Sequence, residues 1–265
     1  MSFLSWLGKR MSGWPQTRRT PARKPASRFR PVLETLEDRY VPATLTVTSP
    51  LDDGSAGTLR ADIIAAQSGD TIQFASTLAG QTIGLVQGDL FINKNLIIQG
   101  LPNKPLIDGA GYFRVFTIST GFTVSLSNLA IVDGGGASNV VGGGGGILNE
   151  GTLTLSGCTV SGNVARGGVG GGIANLGTLT LTAGCTVTGN FCFEGGGIAN
   201  FGTLTVDGSA ITGNTAETGG GIFNAKHASL TVTGGSTVLN NTATLGADIY
   251  NLGMEHISKD STVGR

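Results

Sequence analysis

The amino-acid sequence predicts an all-β fold, a right-handed parallel β-helix (solenoid) of about seven coils with a short N-terminal capping helix. Three observations predict it. A unit of 24 to 27 residues repeats from residue 142 onward, each unit holds three short runs of alternating residues, and Gly/Asn turns separate the runs. Runs of three to five residues suit strands and are too short for helices. Each repeat therefore indicates one coil with three sides.

The repeat is clearest in an Ile-x-Asn element and a Gly-Thr-Leu-Thr element. The Asn residues of the first element lie 26, 25, 24 and 27 positions apart, so we expect them to stack at one turn and bond along the axis. This predicted Asn ladder contains Asn149, Asn175, Asn200, Asn224 and Asn251. Leucines of the second element share one strand face, so we expect them to form an inward column. The predicted Leu column contains Leu153, Leu179, Leu204 and Leu230.

Changes in composition divide the chain into four segments. They are a basic N-terminal segment (1–44), an N-terminal cap of strand, short helix and strand (45–84), the β-helix (85–253) and a C-terminal tail or cap (254–265). Within the second segment, Leu59, Ile63 and Ala66 have the i, i+4, i+7 spacing of an amphipathic helix. A helix there would cover the exposed edges of the first coil.

The charge distribution excludes some partners. Residues 1–45 contain 9 Lys/Arg and 3 acidic residues, whereas the remainder contains 8 basic and 14 acidic residues, a balance of 8 − 14 = −6. The mildly acidic body argues against a nucleic-acid partner. No apolar run is long enough for a transmembrane helix.

Residues 30–44, Arg-Pro-Val-Leu-Glu-Thr-Leu-Glu-Asp-Arg-Tyr-Val-Pro-Ala-Thr, carry a short motif. The motif resembles the "LE-x-LE-x-R-x-x-P-A" leader of many planctomycete surface and secreted proteins. The resemblance implies export through the N-terminal segment, with processing near Ala43. The implied location is extracellular, at the cell surface or at the outer membrane. The alternative is a basic tail with no role in export.

Two further segments resemble bacterial surface proteins. Residues 57–74 resemble an "S-L-R-E-A-I … G-D-T-I-x-F" opening segment, although Thr58 replaces Ser and Asp62 replaces Ala. Residues 142–253 resemble polymorphic-outer-membrane-protein repeats, and the broader class is similar to the pectin-lyase-like fold. These resemblances imply an extracellular, often adhesive, protein.

Enzymes of the pectin-lyase-like class suggest where chemistry could lie. Acidic residues in the regular repeats occupy non-equivalent positions, so the sequence predicts no metal site and no cofactor. The best pair for catalysis is Asp108 and Asp133, 25 residues apart. If their coils are in register, the carboxylates would be about 5 Å apart, close to the spacing in retaining glycosidases. The alternative is that each Asp-Gly is ordinary turn chemistry.

The cysteines and one apolar run complete the candidates. Cys158 and Cys185 occupy the same repeat position, where we expect stacked buried thiols rather than a disulfide. Cys192 is expected in a loop between Phe191 and Phe193, the most apolar outward candidate for a contact patch.

Two functions remain open. The sequence favours a non-enzymatic surface or secreted protein with an adhesive or envelope role and a polysaccharide or cell-surface ligand. The alternative is a polysaccharide lyase or glycoside hydrolase that uses Asp108 and Asp133. The sequence indicates no oligomeric state.

Overall fold

The computed structural model describes residues 41–136 and 143–264. In this part of the chain, short parallel strands wind into a β-helix of about eight coils, which confirms the predicted fold class. The coil number exceeds the expected seven because strands before residue 85 and after residue 253 join the same sheets. None of the helices in the described residues is long and apolar enough to span a membrane.

The largest sheet of the described residues has nine parallel strands. In sheet order its strands are Thr44–Val47, Thr71–Phe74, Leu96–Gln99, Thr123–Ser127, Thr152–Ser156, Thr178–Thr182, Thr203–Asp207, Ser229–Thr233 and Met254–Ile257. The Gly-Thr-Leu-Thr elements form its centre. Leu residues alternate with Thr residues along each strand, so one side of the sheet faces the core and the other faces solvent.

A second sheet of eight parallel strands follows the first around each coil. In chain order its strands are Thr82–Gly84, Leu106–Asp108, Ala130–Val132, Thr159–Ser161, Thr186–Thr188, Ala210–Thr212, Thr237–Leu239 and Thr262–Val263. Its central Val and Ile residues are buried, and their neighbours along each strand point outward.

The Ile-x-Asn elements form a third sheet of seven parallel strands. In chain order its strands are Leu90–Ile92, Phe116–Ile118, Ile147–Asn149, Ile173–Asn175, Ile198–Asn200, Ile222–Asn224 and Ile249–Asn251. A fourth, short sheet connects the second sheet to the glycine runs, and its three strands are Gly135–Gly136, Val164–Val169 and Phe191–Glu194.

The inward side chains of the three long sheets make one continuous core. Leu153, Leu179 and Leu204 lie in register and have no exposed surface. Ile147, Ile173 and the later isoleucines of the third sheet do the same. A single coil cannot bury these side chains, so each coil depends on the next one for its stability.

One α-helix, Leu59–Ala65, lies at the N-terminal end of the described β-helix, and a 3₁₀ turn follows at Ser76–Leu78. Thr58 caps the helix, because its hydroxyl oxygen accepts a hydrogen bond from the Ala61 amide at 3.3 Å. Leu59 and Ile63 are buried in the main core. The helix therefore adds its apolar face to the first coils.

Polar contacts fix this helix in a way that the sequence did not reveal. Asp52 forms a buried ion pair with Arg60, with 2.7 Å between Oδ1 and Nε. Asp52 also accepts from the Val86 amide at 2.8 Å. At the other end of the helix, the Lys94 ammonium donates to three terminal carbonyls, the closest being that of Ala66 at 2.7 Å. Distant charges therefore satisfy both ends.

Candidate binding surfaces

The Asn side chains of the third sheet are joined along the axis. From Asn149 to Asn251, the Nδ2 of each residue donates to the Oδ1 of the next at 2.7 Å. Asn149, Asn175, Asn200 and Asn224 are fully buried. The Asn149 Oδ1 has no partner among the described residues, because Ile118 occupies the equivalent position in the preceding coil. These amides are committed to one another and cannot recognise a ligand.

A second Asn ladder runs along the corner after the second sheet. Asn163, Asn190, Asn214 and Asn241 are buried, and each accepts on Oδ1 from the main-chain or side-chain amide of the residue before it in the ladder. The last member ends on a carboxylate, since Asn241 Nδ2 donates to Asp248 Oδ1 at 2.8 Å. This ladder is also a structural element.

The outward side of the nine-stranded sheet carries two neutral columns of hydroxyl groups, which we call the hydroxyl face. Their residues are Thr123, Thr152, Thr178, Thr203 and Ser229 in one column, and Ser125, Thr154, Thr180, Thr205 and Thr231 in the other. Coils are about 4.8 Å apart and alternate residues about 6.7 Å apart, so the hydroxyls form a regular array.

The hydroxyl face is available to an external partner. All ten side chains are exposed or half-buried. Within the described residues, none of their hydroxyls makes a hydrogen bond to another protein group. No charged residue lies in either column between Thr123 and Thr231. A partner that supplies regularly spaced, uncharged donors and acceptors would fit this surface.

Asp108 and Asp133 lie near one another but are not stacked. Asp108 pairs with Val132 in the second sheet, so Asp133 is one residue beyond the register that would place the two carboxylates in one column. The register differs because Asp133 turns the chain with a left-handed φ of 47°. Both residues still line a cavity of about 250 Å³, together with Arg166.

The environment of these two aspartates is that of turn residues. Asp108 Oδ1 accepts from the Ala110 amide at 2.7 Å, which is the geometry of an Asx turn. Asp133 is exposed. In the described part of the chain, no three His, Cys, Asp or Glu side chains are placed to hold a metal ion.

Cys158 and Cys185 are adjacent, buried and free thiols. The Cys158 amide donates to the Cys185 sulfur at 3.3 Å. The hydrogen bond that the two thiols share, together with burial, raises the pKa of the Cys158 thiol. The same inward column continues with Ser209 and Ser236, where the Ser209 amide donates to Ser236 Oγ at 3.1 Å. Small polarisable or hydroxyl side chains fill this corner, and a disulfide is not formed.

The expectation of a loop at Cys192 is wrong. Phe191–Glu194 is a strand of the fourth sheet, in which Cys192 is buried while Phe191 and Phe193 are 53% and 56% exposed. Parallel pairing with the preceding coil produces this alternation. Burial raises the pKa of the Cys192 thiol to about 11, so it is protonated at neutral pH. The two phenyl rings remain the most apolar outward feature here.

A bulge next to these rings creates a groove. Ala165 pairs with Cys192 and Val169 pairs with Glu194, so Arg166, Gly167 and Gly168 lie opposite Phe193 alone. The extra residues leave a cavity of about 800 Å³, which we call the phenylalanine groove; it is lined by Arg166, Phe191, Cys192, Phe193, Glu194 and Glu217 among others. Its volume is typical of small-ligand sites.

The sequence holds a signal for this bulge. Between the second-ladder Asn and the left-handed glycine that follows, the distance is 195 − 190 = 5, 219 − 214 = 5 and 246 − 241 = 5 residues in the later coils. It is 170 − 163 = 7 residues in the coil of Asn163. The two additional residues mark the position of the bulge.

Another buried cation escaped the sequence analysis. Arg114 is 8% exposed and donates to the carbonyls of Gly143 and Gly144, and also to Thr117 Oγ1 at 3.1 Å. Burial lowers its pKa, and the nearby Asp89 carboxylate opposes that shift. Arg114 holds the glycine run against the third sheet. His227 and His256 lie in a turn and in the last strand of the nine-stranded sheet.

Comparisons with protein families, with curated proteins and with solved structures find no match for this chain. The resemblances of residues 30–44, 57–74 and 142–253 therefore depend on the residues quoted for them. Residues 30–40 lie outside the part of the chain that the structure describes.

Proposed function

We propose that this chain is a non-enzymatic, exported β-helix protein with an adhesive or envelope role, and that its hydroxyl face binds an extended polysaccharide. The observation that carries the proposal is the array of ten unpaired hydroxyls in two uncharged columns on the nine-stranded sheet. A polysaccharide offers donors and acceptors at regular intervals, as this array does. The contacts would be individually weak and repeated.

The setting of the protein is part of the same proposal. The leader-like residues 30–44 and the resemblance of residues 142–253 to polymorphic-outer-membrane-protein repeats support export to the cell surface. Fractionation of cells that express the full chain with a C-terminal tag tests this setting. The tag is expected in the medium or the envelope fraction, and recovery in the cytosol alone would contradict export.

Binding is tested by removing hydroxyls without changing shape. Replacing Thr154, Thr180 and Thr205 with Val keeps the branched side chain that strands prefer and deletes three central hydroxyls. Each hydrogen bond contributes roughly 0.5–1.5 kcal/mol net, so the triple variant is expected to bind about tenfold or more weakly. Affinity electrophoresis or calorimetry with cellulose, xylan, chitosan and pectin fragments measures the loss.

A matched triple variant on the second sheet supplies the control. Thr188, Thr212 and Thr237 are half-buried outward residues of that sheet. Their replacement with Val should leave the affinity unchanged. If none of the polysaccharides binds, or if both triple variants lose affinity equally, the hydroxyl face is not the binding surface.

The second candidate is a glycoside hydrolase or polysaccharide lyase. One observation favours it, the shared cavity of Asp108, Asp133 and Arg166. Release of reducing ends or unsaturated products from the same polysaccharides, abolished in Asp133→Asn, would support this activity. The absence of product at high protein concentration would exclude it for those substrates.

A further inference from the structure

The phenylalanine groove is separate from the hydroxyl face. It lies beside the fourth sheet, on the opposite side of the Asn-ladder corner from the second sheet, whereas the hydroxyl face belongs to the nine-stranded sheet. Nothing in the Asn ladders or the core needs exposed phenyl rings at this position. The groove therefore requires its own explanation.

Two aromatic rings project from one strand into this groove. Phe191 and Phe193 are alternate residues, so they leave the same side of the strand with their Cα atoms about 6.7 Å apart. More than half of each side chain is exposed, at 53% and 56%. Between them, the buried Cys192 packs beside Ala165 of the preceding coil. A ligand with one flat, apolar face would cover both rings.

Acidic groups surround the rings. Glu194 follows Phe193 directly, and Glu217 lies on the next coil, where its amide donates to the Phe193 carbonyl at 3.1 Å. Arg166 on the bulge is the single basic residue among those that line the groove, so the three charges sum to −1. Residues 46–265 carry a balance of −6, which also favours a cationic ligand.

Rings and carboxylates together select the ligand. A protonated amine next to a phenyl face gains a cation–π interaction, and a carboxylate within reach adds an ion pair. A sugar ring presents its carbon–hydrogen face to an aromatic ring and its hydroxyls to carboxylate oxygens. An amino sugar combines both features in one residue.

We propose that the phenylalanine groove binds a protonated amino sugar of a polysaccharide, with the sugar ring over Phe191 and Phe193 and the ammonium directed to Glu194 and Glu217. This inference rests on the proposed polysaccharide binding and names the class of sugar. The hydroxyl face would contact neutral stretches of the same polymer, and the groove would select the charged residue.

A pair of probes that differ only in charge tests the proposal. Glucosamine hexamer and N-acetylglucosamine hexamer are titrated calorimetrically into the full chain at pH 6 and low salt. The cation–π interaction and the exposed ion pairs together favour the amine form by about tenfold in affinity. Equal binding of the two hexamers would overturn the proposal.

Variants then assign that ratio to the groove. Phe193→Ala and Glu217→Gln should each bring the two affinities to within about twofold, whereas Phe193→Trp should preserve the preference. Phe201→Ala is the matched control, because Phe201 is a 41% exposed aromatic residue that does not line the groove. An equal effect of Phe201→Ala, or pentalysine binding that ignores Phe193→Ala, would show a merely acidic surface and refute the site.

The two proposals fail in different ways. Loss of the three hydroxyls at Thr154, Thr180 and Thr205 should weaken both hexamers equally and leave their ratio unchanged. If that variant has no effect while Glu217→Gln still removes the ratio, the hydroxyl face fails and the groove stands. If the hydroxyl variant weakens binding but both hexamers always bind alike, the groove fails and the face stands.

Discussion

The Asn ladder of the third sheet makes a quantitative prediction about stability. Asn200→Ala removes two ladder bonds of 2.7 Å, one to Asn175 and one to Asn224, at roughly 0.5–1.5 kcal/mol net each. It also leaves the buried Asn224 Oδ1 without its donor, which costs a further ~1–3 kcal/mol. The free energy of unfolding should therefore fall by about 4 kcal/mol. Equilibrium unfolding in urea, followed by circular dichroism, measures the change.

Asn251→Ala is the matched control at the C-terminal end of the ladder. Asn251 is exposed and accepts only one ladder bond, from Asn224 at 2.7 Å. In the variant, Asn224 Nδ2 keeps its bond to the Met254 carbonyl at 3.1 Å. The expected loss is about 1 kcal/mol. If Asn200→Ala cost no more than Asn251→Ala, burial would not set the value of a ladder bond and the reasoning would be refuted.

Three other changes probe separate features. Burial raises the pKa of Asp62, whose Oδ2 has no partner among the described residues, so folding penalises the ionised form. Asp62→Ala should therefore stabilise the protein by about 1 kcal/mol at pH 7, and this gain should shrink below about pH 4; melting curves at both pH values would expose a gain that does not shrink. Asp248→Ala leaves the Asn241 amides without their carboxylate acceptor and should cost roughly 1.5–3 kcal/mol in urea unfolding, whereas a loss under 0.5 kcal/mol would show that this end of the ladder is solvated. Cys192, with a pKa of about 11, should react with iodoacetamide at pH 8 at less than about a tenth of the rate in the unfolded chain, and mass spectrometry would detect faster labelling.

Repetition explains why the coil architecture could be predicted from the sequence. A residue that recurs every 24 to 27 positions occupies the same place in each coil, so Leu179 and Leu204 had to share an environment. The helix Leu59–Ala65 was predictable from its amphipathic spacing. These features depend on local patterns that neighbouring coils repeat.

Features that occur once were not predictable in the same way. The ion pair of Asp52 and Arg60 joins groups with no repeat period between them. The offset of Asp133 from Asp108 follows from a single left-handed residue, which a count of 25 positions cannot reveal. The phenylalanine groove arises from two additional residues in one coil, and only comparison of Asn-to-Gly distances among coils would have located it.

Departures from the repeat are also where the solenoid acquires properties beyond stacking. Glu255 continues the inward Leu column directly after Leu230, yet it is exposed because no described coil lies beyond it. A charge in a core position opposes the addition of another apolar strand at this edge, since that strand would bury the carboxylate. The same principle applies at the groove, where a bulge interrupts the fourth sheet and leaves phenyl rings uncovered. Regular coils build the hydroxyl face, and single irregular residues decide where the structure ends and where it can select a ligand.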